Sequence, residues 1–488
     1  MKIEEIFQPS SSIYFVGIKG TGVCALAELM HNFGIKVSGS DTPEIFYTDT
    51  ILKELNIPYY ENFDAVHIHN DIGVVIHSAA YNSVSNPELA RAMELNIPVL
   101  KYTDALGAWS SRFDSTGICG VHGKTTTTAI CGVLMRAAGL PAQILTGSAV
   151  ADFGGRSSLK LGDKYFIAET CEYRKHFLSF HPKRIILTAV ECDHQDFFPD
   201  YGSIRNAFVE YCRLLPENGH LIYCADDPGA SEVAYIIEKE QRRIKIIPYG
   251  FTAAGDYRIV SYNVENEMAV FTLAGFRVKF KLRLPGRHEA LNSAAAIALV
   301  SLLAKKEFGS SCNESAIENA LINFKSAKRR SEIIGETCGI IFMDDYGHHP
   351  TAIKATLAGI KSFYPMRRLI VSFMPHTYTR TSALLKEFAS AFSNADILFL
   401  HKVYASAREN YTGGVNGKTL YEKASLARGG KGGEIRYVDE PDDAFDPLCE
   451  ILKPGDLFIT LGAGNNWPLG EKLFAHFKSI DKRGNHHD

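Results

Sequence analysis

No CxxC pair occurs among the ten cysteines, Cys24, Cys119, Cys131, Cys171, Cys192, Cys212, Cys224, Cys312, Cys338 and Cys449. Their scatter, mostly through apolar segments, reads as buried free thiols and fits a reducing compartment. No run of eighteen apolar residues is present, so no segment is expected to span a membrane. No charge sign dominates: the net charge is −3 with 22% charged residues, which implies no bulk attraction to nucleic acid. Met1–Ser12 is short and polar, without the apolar core of a secretory signal. Low-complexity tracts and internal repeats are also missing. What remains, at 46% hydrophobic residues, is the composition of a soluble cytoplasmic protein. Its 488 residues exceed one ordinary core and suggest about three domains.

The most informative stretch is Gly117-Ile-Cys-Gly-Val-His-Gly-Lys-Thr-Thr-Thr-Thr128. Apolar residues precede it, and Ala129–Ala138 is helix-like. Gly120 and Gly123 let the backbone wrap an oxyanion, with Val121 and His122 between them. Lys124 can neutralise phosphate charge, the Thr125 hydroxyl can ligate magnesium, and Thr126 continues the turn. The new helix offers free N–H groups and its positive dipole end to the same phosphates. A strict GxxxxGK[ST] run would need glycine where Ile118 stands. The shorter G-x-x-G-K-T form still reads as an ATP-type phosphate loop.

Upstream, an apolar strand at Ser11–Gly17 leads into Gly17-Ile-Lys-Gly-Thr-Gly22, a helical stretch Val23–Phe33 and a strand Ile35–Ser38 before Asp41. This is the outline of a βαβ mononucleotide unit, with Gly20, Thr21, Gly22 and Asp41 as its ligand-side residues. The spacing is G-x-x-G-x-G rather than G-x-G-x-x-G. A nicotinamide-dependent oxidoreductase is a rival reading of this turn, but the glycine spacing is wrong for it and it leaves the Lys124 loop unexplained. Lys19, inside the turn, is electrostatically suited to a pyrophosphate.

Downstream, the strand Tyr165–Ala168 ends at Glu169-Thr-Cys-Glu172, and Arg184–Val190 ends at Glu191-Cys-Asp193-His194. Ligands of open parallel sheets bind beyond the C-terminal strand ends. Two successive strands delivering acids and a histidine there, behind a phosphate loop, point to a magnesium site. Residues 219–280 read as mixed strand and turn. The third part carries strands at Ile340–Met343, Leu369–Phe373, Asp396–Leu400 and Phe458–Leu461, again with polar residues at their ends.

These segments, in this order over roughly residues 11–470, resemble the Mur ligases, the enzymes that build the peptide stem of peptidoglycan. The resemblance implies an α/β protein of three domains: a Rossmann-like UDP-binding domain (1–112), a central ATP-binding domain with a mainly parallel sheet (113–326), and a Rossmann-like domain for the incoming amino acid (327–488). It places Ser78, in His77-Ser-Ala-Ala…Asn86-Pro-Glu88, beside the uridine nucleotide. It assigns Glu169 and His194 to a second magnesium ion, and Asn292, in Leu284-Pro-Gly-Arg-His-Glu-Ala-Leu-Asn292, to the adenine. Arg330, at the end of Phe324-Lys-Ser-Ala-Lys-Arg-Arg330, would reach back to the ATP phosphates. In Asp344-Asp-Tyr-Gly-His-His-Pro350, Asp345 would hold the ribose and His348 the amino acid. Arg380, in Met374-Pro-His-Thr-Tyr-Thr-Arg380, would pair a substrate carboxylate. Tyr404–Glu409 and Gly462–Asn465 resemble pocket loops without assigned chemistry. Tyr346-Gly347 favours L-alanine over a whole tripeptide as the group added. The implied reaction joins L-alanine to UDP-N-acetylmuramate at the expense of ATP, with magnesium or manganese, in a cytoplasmic monomer or homodimer with no nucleic-acid or membrane partner. The alternatives are the tripeptide-adding ligase of peptidoglycan recycling and, more remotely, a non-catalytic nucleotide-binding regulator.

Overall fold

The computed structural model describes residues 7–9, 11–240, 243–310, 312–405, 409, 411, 413–429 and 433–484, without the side chains of 483 and 484. The first six residues of the polar N-terminal stretch, and residues 406–408 of the Tyr404–Glu409 loop, lie outside this set.

Runs of Val, Ile, Leu and Phe form strands buried on both faces, which is what parallel sheets covered by helices require. The first sheet contains β1 (Ser12–Val16), β2 (Lys36–Ser40), β3 (Tyr59–Tyr60), β4 (Val74–His77) and β5 (Val99–Lys101), in the order β3-β2-β1-β4-β5. All its neighbours are parallel. The second contains β6 (Asp114–Cys119), β7 (Ala142–Val150), β8 (Arg156–Lys160), β9 (Tyr165–Glu169), β10 (Arg184–Leu187), β11 (His220–Cys224) and β12 (Lys245–Tyr249). Its order is β12-β11-β10-β6-β9-β7-β8, and only edge strand β8 is antiparallel to its neighbour. A small antiparallel sheet, β13 (Ile259–Val264), β14 (Ala269–Leu273) and β15 (Phe280–Leu282), follows. The last sheet contains β16 (Glu332–Thr337), β17 (Ile340–Asp345), β18 (Arg368–Phe373), β19 (Ile397–Leu400), β20 (Glu434–Tyr437) and β21 (Asp456–Leu461), ordered β16-β17-β21-β18-β19-β20. Here only β16 runs antiparallel to its neighbour.

The loops that carry most of the expected site residues leave the C-terminal ends of strands: β1, β4, β6, β9, β10, β17 and β18. In the first sheet, β1 lies between β2 and β4, so successive connections diverge there and leave a crevice. In the second, β6 is central between β10 and β9.

Two differences from the sequence reading have clear causes. The segment 219–280 is not only strand and turn, because Pro228–Lys239 is a helix. Its Asp227 side chain accepts from Ala230 N at 2.7 Å, and Pro228 takes the first helical position, where a missing N–H costs nothing. The strand expected over Arg184–Val190 ends at Leu187, because from Thr188 the chain turns to the phosphate loop, with Thr188 Oγ1 donating to the Cys119 and His122 carbonyls.

Each outer domain is fastened to the central one by an arginine bonded to a buried carboxylate. Buried Glu28, on the helix Thr21–Asn32, accepts from Arg156 Nη1 at 2.5 Å and from Ser158 Oγ at 2.5 Å, both on edge strand β8. Charge-assisted bonds to a buried carboxylate hold this interface in one register. The C-terminal domain meets the central one through Arg380, His349 and Thr351. All ten cysteines are free, as expected; six are buried, while Cys171 is exposed and Cys192, Cys338 and Cys449 are partly so.

Candidate active site

The phosphate loop is shaped by two glycines with no substitute. Gly120 has φ +133°, and a Cβ there would lie 2.1 Å from Thr188 Oγ1. Gly123 has φ +80°, and its Cβ would lie 2.6 Å from Asn292 Oδ1. Side-chain residues rarely adopt either backbone conformation. Thr188, just past β10, braces the loop by donating to the His122 carbonyl at 2.5 Å. Lys124 folds back so that Nζ donates to the Gly120 carbonyl at 2.6 Å and to Glu172 at 2.9 and 3.1 Å. Burial alone would lower the lysine pKa, but the Glu172 carboxylate outweighs it and the net shift is upward. Glu172 is correspondingly lowered against its own burial, by Lys124 and then His194. Lys124 is a cation at neutral pH.

Thr125 Oγ1 donates to Glu169 Oε2 at 2.8 Å, and Gly147 N donates to the same oxygen at 2.9 Å. His194 has φ +54° and holds Nε2 at 3.6 Å from Glu172 Oε1. A hydroxyl, a carboxylate and an imidazole thus face one space beside the lysine. This donor set suits a hard divalent cation that keeps phosphate and water as its other ligands. The residues present therefore fit magnesium.

Beside the last sheet, Arg330 lies over the Tyr346 ring at 5.0 Å. His348 Nδ1 donates to the Tyr346 carbonyl at 3.1 Å, which leaves Nε2 as the acceptor of a neutral ring. Burial and then the Arg380 charge push the His348 pKa well down, despite the opposing pull of Asp193. Arg380 is buried and bonded to Asp193 across the domain boundary. Val121, Gly123, Lys124, Thr125, Glu169, His194, Arg330, His348 and Arg380 all line one cavity of about 420 Å³.

Two further cavities adjoin it. One of about 260 Å³ is lined by His122, Gly123, Thr126, Asn292, Arg330 and Asp345, with Tyr249 and Leu291 as apolar walls. The other, of about 320 Å³, lies between the first two domains and is lined by Gly22, Ser78, Tyr102, Glu169 and Cys171 among others. Arg330 borders the middle cavity and the first of these; Glu169 and Cys171 border the middle cavity and the second. The three cavities thus lie side by side across the domains and share lining residues.

Some expected residues stand apart from these cavities, and others that line them are bonded within the protein. Gly20, Thr21 and Asp41 do not line the 320 Å³ cavity. Asp41 instead accepts from Lys19 N at 2.7 Å and Thr42 N at 2.8 Å. Lys19, suited on paper to a pyrophosphate, is 1% exposed and turned inward. Its Nζ donates to the carbonyls of Thr42 and Glu44 at 3.0 Å and pairs with Asp49 and Glu61, also at 3.0 Å. A lysine buried this completely stays charged only among such acceptors, so it braces the 41–49 loop. Asp345 binds the protein itself: Oδ1 accepts from Gly347 N and Oδ2 from Ser331 N, each at 2.7 Å. Asn292 Oδ1 accepts from Thr127 Oγ1 at 3.2 Å.

The sequence reading left Glu172, Glu191, Asp193 and His349 out of the site. Each is adjacent in sequence to an assigned residue or motif, and that adjacency was the available signal. Among the described residues, His122, Glu191 and His349 are the group whose nitrogen and oxygen donors all lie within 4.8 Å of one another.

Three α/β domains whose strand ends face adjoining cavities, one of them walled by a phosphate-type loop, define a multi-substrate, phosphate-handling class of enzyme. Comparison with known proteins narrows the class. Residues 12–114 match the description of the Mur ligase family, catalytic domain; residues 118–300 match the Mur ligase middle domain; residues 329–464 match the Mur ligase, glutamate ligase domain. UDP-N-acetylmuramate–L-alanine ligase of Treponema pallidum (strain Nichols) is 48% identical over 468 residues, covering 96% of both chains. The protein of that name from Borreliella burgdorferi is 40% identical over 477 residues, covering 97% of this chain and all of the other. The solved UDP-N-acetylmuramate-alanine ligase of Thermotoga maritima shares the fold with a TM-score of 0.75 at 23% identity, over 96% of this chain and 99% of that one. The chain belongs to the Mur ligase family of ATP-dependent ligases.

Proposed function

We propose that this enzyme joins L-alanine to the carboxylate of UDP-N-acetylmuramate, with ATP converted to ADP and phosphate. The observation that carries the reading is the row of three adjoining cavities. Glu169 borders both the cavity between the first two domains and the central one, and Arg330 borders both the central cavity and the one lined by Asn292 and Asp345. Three reactants can therefore meet at the middle. Full-length relatives named for this reaction support the same assignment.

In this reading, the nucleotide sugar enters past Ser78 and Gly22, with its carboxylate at the Glu169 end. ATP lies along Gly120–Thr126 with its base near Asn292. The sugar carboxylate attacks the γ-phosphorus, ADP departs, and an acyl phosphate remains. Lys124 and Arg330 bear on the transferring phosphoryl group, whose charge spreads over its equatorial oxygens. A magnesium or manganese ion held by Thr125, Glu169 and His194 would neutralise phosphate charge in the same place. Glu172 keeps Lys124 protonated and aimed until a phosphate competes for it. The amine of L-alanine, placed by His348 and Arg380, then attacks the acyl carbon. His348 Nε2, neutral and unprotonated, can accept the amine proton, and phosphate leaves with the acyl–oxygen bond.

The test is phosphate release from ATP with magnesium and UDP-N-acetylmuramate, offering L-alanine, glycine, L-serine and the muramyl stem tripeptide in parallel. Turnover with L-alanine, absent without the nucleotide sugar, is expected. Turnover with the tripeptide alone would move the enzyme to peptide recycling. Nucleotide binding without any turnover would overturn the ligase reading.

A further inference from the structure

Glu191 is a junction between the two domains. One oxygen, Oε1, accepts from His122 Nε2 in the phosphate loop and lies 3.5 Å from His349 Nδ1. The other, Oε2, accepts from Thr351 Oγ1 at 2.9 Å. His349 caps the helix Pro350–Phe363, its side chain accepting from Thr351 N, and His348 is the residue immediately before it. One carboxylate therefore holds a residue of the phosphate loop, in the central domain, and the helix start next to His348, in the C-terminal domain. Thr188 also fastens His122 through its carbonyl at 2.5 Å, so the loop and Glu191 are anchored to the same strand end.

We infer that Glu191 is a positioning residue that couples the phosphate loop to His348, so that nucleotide held by the loop orders the amino-acid end of the site. The two oxygens of a carboxylate share a plane, and rotation that keeps His122 bonded fixes where Thr351 can be. A nucleotide that orders His122 thereby orders the helix start, and by linkage an occupied amino-acid site favours the ordered loop. Glu191 can do this at neutral pH because the His122 bond, the His122 charge and the nearby His349 hold its carboxyl down against burial. None of these three residues belongs to the set assigned to magnesium. The inference rests on the proposed function for what occupies the two ends.

The test is hydrogen–deuterium exchange of the full-length enzyme with and without magnesium and a non-hydrolysable ATP analogue. Affinity for the analogue is measured separately on each variant. In the wild type, the analogue is expected to slow exchange over residues 346–353 by about tenfold, a coupling of ordinary size. Glu191→Ala is expected to bind the analogue but lose that slowing. Glu191→Gln, whose amide can still accept from His122 and donate to Thr351 Oγ1, is expected to recover most of it, which a merely misfolded variant would not do. Equal slowing in wild type and Glu191→Ala overturns the inference, as does binding without slowing in the wild type. Failure of the wild type to bind the analogue at all would instead strike the proposed function. Equilibrium dialysis against zinc closes the remaining route: stoichiometric zinc retained by the wild type and lost in Glu191→Ala would replace the hydrogen-bonded link by a metal link and overturn the coupling through hydrogen bonds.

Discussion

Nε and Nη2 of Arg380 both donate to a single oxygen, Asp193 Oδ1, at 2.9 and 2.7 Å, while Nη1 turns back to the His376 carbonyl at 2.9 Å. Both partners are almost fully buried, and they come from different domains. The guanidinium proposed for an incoming carboxylate is therefore already oriented by an internal one. Removing one member of a buried pair leaves the other uncompensated. Arg380→Met should lower the unfolding free energy by about 3 kcal/mol, and adding Asp193→Asn should restore part of the loss. Denaturant titration of the three variants checks this; additive losses would contradict it.

The same pair gives a pH dependence with a definite sign. Arg380, then His194 and His348, lower the Asp193 pKa far below its ordinary value despite burial. A depressed carboxyl contributes stability that is fully present above its unfolded pKa, near 4. The contribution should be constant from pH 5 to neutrality, on that ~4 reference, and should decline as the pH falls further. Denaturation midpoints against pH should show this acid decline in the wild type and a shallower one in Asp193→Asn.

The phosphate-loop glycines make a graded series. Gly120→Ala puts a methyl 2.1 Å from Thr188 Oγ1 and 2.8 Å from the Ala189 backbone nitrogen, and the latter cannot swing aside. Gly123→Ala meets the end of the Asn292 side chain at 2.6 Å, which can move. Gly139, at φ +67°, has nothing within 4 Å of the same position. Gly139→Ala should cost about 1 kcal/mol of stability through backbone strain alone, with nucleotide affinity unchanged. Gly123→Ala should weaken nucleotide binding, and Gly120→Ala should weaken it most. Calorimetric titration with ADP on folded variants ranks them; equal affinities would refute the loop assignment.

How far the site was legible depended on distance along the chain. The phosphate loop is contiguous, so glycine, lysine and threonine within a dozen residues revealed it together. The strand ends carrying Glu169 and His194 were legible for the same reason. Lys19 was not, because its charge suits a phosphate equally well on paper; only the fold brings Asp49 and Glu61 to its Nζ. The helix Pro228–Lys239 was missed because Asp227-Pro228 has the composition of a turn as well as of a capped helix start. Pairs such as Arg380 with Asp193, 187 residues apart, leave no local trace.

Lys124 and Glu172 should separate chemistry from stability. Lys124→Ala should lose on the order of 10³ in kcat while the fold is kept, since the lysine bears on the transferring phosphoryl group. It also leaves Glu172, 2% exposed, with the more distant His194 as its remaining ion-pair partner among the described residues. Glu172→Gln added to Lys124→Ala should recover stability and not activity. Melting curves and phosphate release on the same samples check both halves; a fully active Lys124→Ala enzyme would refute the role assigned to the lysine.

His348 supplies a test of the proton path. Its pKa is lowered well below 6.5, first by burial and then by Arg380, so the ring is neutral across the neutral range. The unfolded chain takes up a proton near pH 6.5 that the folded site resists, so stability from this group is present above about pH 6.5 and falls as the pH drops below it. If His348 Nε2 accepts the amine proton, the rate should not acquire an acid limb from this residue near pH 6.5, the unperturbed histidine value of about 6.5 marking where an exposed ring would lose its lone pair. His348→Gln keeps a donor toward the Tyr346 carbonyl but offers no basic nitrogen. It should therefore lower kcat with little change in the KM for ATP. If kcat stayed at the wild-type value while the KM for the amino acid rose, His348 would be a binding residue rather than the proton acceptor, and the amine proton would have to leave by another group.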